Sequence, residues 1–143
     1  MLWYLGYVVL FAEDFDRTLA FYTDQVGLPV RLRAEGYAEF AVEGAKFALL
    51  ARARVSELVG DRESGRPAPG THEGAVTILV EDVDRVYRDM TGRGVPFLGP
   101  PQNRAWGQRT TYFHDPDGHL IEIATNLPRP TRTGIFVRTA DDG

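Results

Sequence analysis

WGQRTTYFHDPDGHLIEIATN, residues 106–126, reads as two strands joined by one tight turn. Thr110, Thr111, Tyr112 and Phe113 are β-branched or aromatic, and so are Ile121 and Ile123, which favours extended backbone on both sides. Between them lies Asp115-Pro116-Asp117-Gly118. An Asp opening a turn bonds the backbone two residues on, Pro presets φ at the second position, and Gly at the fourth tolerates positive φ. The second strand, His119 to Ala124, carries a single acid, Glu122, among apolar neighbours.

Upstream of this hairpin the pattern continues. Gly74 to Val80 reads as a strand. Val83, Tyr87 and Met90 mark a helix that stops near Gly92 and Gly94, and Val95 to Leu98 reads as a further strand. The second half is therefore β-α-β-β-β. The first half has the same order. Leu2 to Phe11 is a strand, and Phe15, Leu19, Tyr22 and Val26 recur at helical spacing over residues 15–26. Val30–Ala34, Tyr37–Val42 and Ala45–Ala53 are strands parted by Glu35-Gly36 and Glu43-Gly44.

Two short strings support a duplication. Glu13-Asp14-Phe15-Asp16-Arg17 returns as Glu81-Asp82-Val83-Asp84-Arg85, 68 residues on (13 to 81). Gly27-Leu28-Pro29-Val30 returns as Gly94-Val95-Pro96-Phe97, 67 residues on (27 to 94). Two matches in order, each at the same place in the pattern, indicate a repeat. The expected organisation is a first module at 1–53, a linker or flap at 54–72, a second module at 73–126, and a C-terminal tail at 127–143. The linker is rich in Gly, Ser and Pro. The tail carries the short apolar run Gly134–Val137, a candidate added strand for a partner.

Composition narrows the function classes. At 143 residues with 43% hydrophobic and 25% charged, the chain is ordinary for one globular protein. A net charge of −4 does not suit nucleic acid, which needs a basic face. No Cys is present, so disulfides, thiolate zinc and a Cys nucleophile are excluded, and a cytoplasmic location is expected. The apolar N-terminus lacks a basic flank and runs into acids after about eleven residues, too short for a membrane span.

The hairpin, the duplicated β-α-β-β-β unit and Phe21-Tyr22 ahead of Gly27 together resemble the vicinal-oxygen-chelate superfamily over residues 1–126. That superfamily includes glyoxalase I, bleomycin-resistance proteins, fosfomycin-resistance proteins and extradiol dioxygenases. The resemblance implies an α+β fold in which duplicated βαβββ modules form a curled eight-stranded mixed sheet around a cleft, with helices outside. It also implies a metal ligand at Glu122 and three more, on the first strand of each half and the last strand of the first half. Those positions fall on Tyr7, on Ala75, and on Ala48 or Leu49. None is a good ligand. His72 is expected to face away from Ala75, Glu73 to sit at the strand's mouth, and His114 and His119 to be ordinary exposed side chains beside the turn.

The metal-free, bleomycin-resistance-like branch is therefore the expectation: a homodimer that sequesters a small organic ligand, with no cofactor, no nucleic acid and no membrane. The ligand contacts expected are Tyr7, Phe47, Leu49, Ala75, Trp106 and Glu122, with Trp3, Leu5 and Val9 sharing Tyr7's face. Aromatic rings give flat apolar walls and a few polar groups orient the ligand. Glu122 needs a partner, since a lone buried carboxylate is costly. Three outcomes are open: an arginine (Arg31, Arg33, Arg104 or Arg109), a bound proton, or a cationic or hydrogen-bond-donating ligand. The alternative function is a metal-dependent lyase, isomerase or dioxygenase with one divalent metal ion, using Glu122 or Tyr7 for proton transfer.

Overall fold

The computed structural model describes residues 5–55 and 74–128. Trp3, His72, Glu73, the Gly134–Val137 run and nearly all of the 54–72 segment lie outside the described residues. The chain forms two units, residues 5–55 with Asp115–His119, and residues 74–114 with 120–128.

In the first unit, strand β1 (Tyr7–Ala12) leads to helix α1 (Phe15–Ala20), which runs on into wider π-helical turns over Phe21–Val26. Asp14 caps the start, its Oδ1 accepting from the Arg17 N–H at 3.2 Å. Gly27 ends the helix at φ +97°, a left-handed conformation that a side chain would resist. Strands β2 (Val30–Ala34), β3 (Tyr37–Phe40) and β4 (Lys46–Ala51) follow. The sheet order is β1-β4-β3-β2, with β1 parallel to β4 and the other pairs antiparallel.

The second unit repeats this order. It contains β5 (Val76–Leu79), α2 (Val83–Gly92), β6 (Gln102–Asn103), β7 (Gln108–His114) and β8 (Leu120–Asn126). The sheet is β5-β8-β7-β6, again with only the first pair parallel. Asp82 caps α2 through the Arg85 N–H at 3.2 Å, and Gly94 has φ +93°. The two repeated strings are thus a helix start and a helix stop, each built twice. Among the described residues eight strands form two four-stranded sheets, matching the expected α+β class.

One strand differs from expectation. Val95–Leu98 contributes a single bridge, Phe97 to Phe113, and the strand beside β7 is Gln102–Asn103. Pro96 has no N–H to give a ladder, which limits pairing there.

Strand register sorts side chains onto two faces of each sheet. In the first sheet, Phe40 and Phe47 pack their rings on Tyr22, with centroids 5.4 Å away in each case. In the second, Phe97 lies between Tyr87 of α2 and Phe113 of β7, with centroids 4.8 and 5.3 Å from its own. Phe113, Ile121 and Ile123 are fully buried. Each such side chain contributes roughly 1.5–3 kcal/mol of hydrophobic stabilisation.

The turn Asp115–His119 has the expected chemistry. Asp115 Oδ1 accepts from the N–H groups of Asp117 and His119, both at 2.9 Å, and Gly118 has φ +85°. It also makes bonds that local pattern does not announce. Tyr22 Oη donates to Asp115 Oδ2 at 2.7 Å, and Thr18 Oγ1 to Asp117 Oδ2 at 2.6 Å. The Glu13 N–H donates to Asp117 Oδ1 at 2.8 Å. Burial, then the Asp115 charge, push the Tyr22 phenol well above its ordinary range. Burial likewise raises the Asp115 carboxyl, against the pull of its hydrogen bonds. His119, expected to be an ordinary exposed side chain, is half-buried with Nε2 2.9 Å from the Phe11 carbonyl oxygen.

Candidate functional site

Glu122 is the centre of the candidate site. It lies mid-strand in β8, where register places it between Thr77 of β5 and Tyr112 of β7. All three point to the face opposite α2, because Phe113, Ile121 and Ile123 occupy the helix side. Glu122 is only 8% exposed. Its two oxygens are each met by a hydroxyl: Thr77 Oγ1 donates to Oε1 and Tyr112 Oη to Oε2, both at 2.5 Å. Short charge-assisted bonds of this kind offset much of the cost of taking a carboxylate out of water. Burial, and then the hydrogen bond to Glu122, raise the Tyr112 phenol above its ordinary value of 10.0.

Each of the four candidate arginines is engaged elsewhere. Arg31 donates to the Phe40 and Val42 carbonyls, and Arg33 lies 3.6 Å from Asp16. Arg109 grips Asp84 with two bonds, 2.9 and 3.0 Å long, joining β7 to the first turn of α2. Arg104 reaches the Tyr112 side of the site. Its guanidinium lies 5.9 Å from the centre of the Tyr112 ring, but its Nε donates to Thr110 Oγ1 at 2.9 Å.

The remaining expected contacts divide between the units. Ala75 is exposed and just precedes β5. Trp106 is 41% exposed, and its Nε1 donates to Gln108 Oε1 at 3.1 Å. Gln108 lies four residues along β7 from Tyr112, about 13 Å at strand rise. Trp106 is thus anchored at the far end of the strand from Glu122.

In the first unit, Tyr7 is 52% exposed, with the Lys46 Nζ 5.3 Å from its ring centre. Register places Tyr7, Val9, Glu39 and Ala48 on one face and Phe47 and Leu49 on the other. The pairing of Phe47 and Leu49 with Tyr7 as walls of one surface is therefore corrected. Phe47 is 4% exposed and closed in by Tyr22 and Phe40, and Leu49 is fully buried. They form core, because β4 turns its odd-numbered residues to the helix.

One acid escaped the sequence reading. Glu39 is 8% exposed on the Tyr7 face of the first sheet, where Tyr37 Oη donates to its Oε2 at 2.7 Å. Burial and that bond push the Tyr37 phenol up to about 12. The criterion that singled out Glu122, one acid within an apolar strand, applies equally to Tyr37-Ala38-Glu39-Phe40.

The superfamily's metal needs at least three side-chain donors brought together. Among the described residues no group of three His, Cys, Asp or Glu is gathered in that way. Among the described residues the hydrogen-bond partners of Glu122 are the Thr77 and Tyr112 hydroxyls, a donor set that does not fit a divalent metal.

The molecule is thus an α+β protein of two like halves, with a hydroxyl-tethered carboxylate on the face of its second sheet opposite α2. The chain belongs to the glyoxalase/bleomycin resistance protein/dioxygenase superfamily, whose family model matches residues 4–123. It is 36% identical over 117 residues to the uncharacterized protein YraH of Bacillus subtilis (strain 168), a match spanning 80% of this chain and 91% of that protein. It is 26% identical over 121 residues to the metallothiol transferase FosB of Lysinibacillus sphaericus (strain C3-41), spanning 85% and 81% of the two chains. A crystal structure of a glyoxalase/bleomycin resistance protein/dioxygenase from Nocardioides superposes with a TM-score of 0.72 at 26% identity, covering 91% of this chain and 89% of that one. Among the described residues no helix is long and apolar enough to cross a membrane.

Proposed function

We propose that this chain is a small-molecule-binding protein of the superfamily's metal-free kind, which sequesters a ligand and performs no chemistry on it. The observation that carries the reading is the state of Glu122. Both carboxylate oxygens are held by Thr77 and Tyr112, while the positions aligned with metal ligands are Tyr7, Ala75 and Ala48 or Leu49. Glu122 then serves as a polar anchor, with Thr77, Tyr112 and Ala75 beside it. The reading includes a homodimer, supported by the exposed apolar residues Tyr7 and Val9 on edge strand β1 and Leu5 just before it. It also includes a cytoplasmic location, supported by the absence of Cys.

Metal analysis of the purified protein before and after a chelator tests the reading. The expected result is far less than one divalent ion per chain. A single tightly held ion per chain would overturn it. That outcome favours the second reading, a metal-dependent enzyme, for which the similarity to FosB is the motive.

A further inference from the structure

Hydrogen-bond direction at Glu122 points to the class of ligand, on the reading that this face binds one. An ionised carboxylate only accepts. Thr77 and Tyr112 each have one hydroxyl proton, and both protons are directed at Glu122. What the two hydroxyls present to an arriving molecule is therefore lone pairs. The carboxylate has roughly four acceptor directions, of which two are filled. The three side chains together form a patch of acceptors carrying one formal negative charge.

The cation beside this patch, the Arg104 guanidinium 5.9 Å from the Tyr112 ring centre, stands on one flank of it. Arg104 follows β6, on the side of Tyr112 away from β8, and its Nε is committed to Thr110. On the opposite side, β5 is an edge strand with Thr77 exposed and Leu79 58% exposed. A ligand approaching over β5 meets Thr77 first, then Glu122, with the apolar Leu79 and Ala75 beside it. An anion taking that path would meet the carboxylate's repulsion before it reached the Arg104 guanidinium. A neutral acceptor would force one hydroxyl to abandon the carboxylate.

We propose that the Glu122 face takes a ligand bearing a protonated amine or amidinium next to an apolar or aromatic body. The nitrogen donors would bond the free lone pairs of Glu122, Thr77 and Tyr112, while Leu79 and Ala75 cover the body.

The test compares benzamidine, benzamide and benzoate, which share a ring and differ in charge, by calorimetric titration. Benzamidine is expected to bind at least about tenfold more tightly than benzamide, the scale of a charge-assisted over a neutral bond. Benzoate is expected not to bind. Glu122→Gln, nearly the same shape, is expected to erase that preference. Tyr112→Phe removes one acceptor and leaves the charge in place, so it is expected to weaken benzamidine while keeping it ahead of benzamide, and it serves if the Gln variant does not fold. Glu39→Gln is expected to leave it unchanged, showing that net charge alone is not responsible. Equal binding of the three probes, or preference for benzoate, would overturn the ligand class and leave small-molecule binding intact. No benzamidine binding at millimolar concentration would overturn the class as well. Manganese or zinc bound in a Glu122-dependent way, with none of the organic probes bound, would overturn both the class and the metal-free reading.

Discussion

The pair formed by Tyr112 and Glu122 is the residue-scale statement of this structure, and it is open to direct measurement. Ionising the phenol would set a second negative charge beside the carboxylate that now accepts its proton. Burial, the hydrogen bond and the Glu122 charge therefore all hold Tyr112 above 10.0, against smaller opposing pulls from a Thr110 hydrogen bond and the Arg104 charge. In Glu122→Gln the charge is gone while the shape stays. The Tyr112 titration, followed by phenolate absorbance and assigned by its loss in Tyr112→Phe, is expected to fall towards 10.0. An unchanged titration in Glu122→Gln would mean the two side chains are not joined in solution as described.

Strands and helices show both how far the pattern reaches and where it stops. The duplicated Asp and Gly positions were legible because each acts on its own stretch of backbone. Asp14 and Asp82 cap helices, and Gly27 and Gly94 take positive φ. Which face of β4 joins the core was not legible. Period two says that Phe47 and Leu49 share a face, but only the register Tyr7 to Lys46 says it is not the face of Tyr7. That register is a long-range fact with no local signature. The short β6 was hidden for a similar reason, since two residues carry no periodicity. The partners of Glu122 were hidden for the same reason, since Thr77 and Tyr112 reach it only through the pairing of β8 with its two neighbours.

The face assignment has a stability consequence. Phe47→Ala is expected to cost about 3–5 kcal/mol, as for an aromatic ring deleted from a core, whereas Tyr7→Ala, measured at a concentration where the chain is monomeric, is expected to stay within about 0.5 kcal/mol. Denaturant unfolding of both variants checks the contrast, and similar losses would refute the facing. The Asp84–Arg109 link between α2 and β7 has a pH signature. Hydrogen bonds from Arg109 hold the Asp84 carboxyl below its usual 3.8. A lowered folded value supports the fold above the unfolded value and loses that support as pH falls through the folded one. Asp84→Asn is accordingly expected to lower Tm at neutral pH, with the difference from the parent shrinking as pH falls below 3.8. A deficit that persists unchanged in acid would show that lost packing, and not the ion pair, is what the variant removes.

At the scale of the whole molecule, a sequestering protein and an enzyme of this superfamily differ in what their ligand needs. If the carboxylate and its two hydroxyls bind an organic cation unaided, ligand binding stabilises the folded chain by mass action alone. At a ligand concentration of 100 Kd this is about 2.7 kcal/mol, which for a chain of this length corresponds to a Tm rise of roughly 5–10 °C. Thermal-shift screening of aromatic and glycopeptide antibiotics, with and without a chelator, measures it. The expected outcome is a rise for amine-bearing compounds that the chelator leaves intact and Glu122→Gln removes. Trp106→Ala separates small from extended ligands. Its anchor Gln108 sits about 13 Å along β7 from the Tyr112 row, so a compact cation should keep its shift while a long glycopeptide should lose part of it. A shift that appears only when metal is added back would mean that the hydroxyls merely orient a ligand-bearing carboxylate, and the chain would then have to be understood as a catalyst.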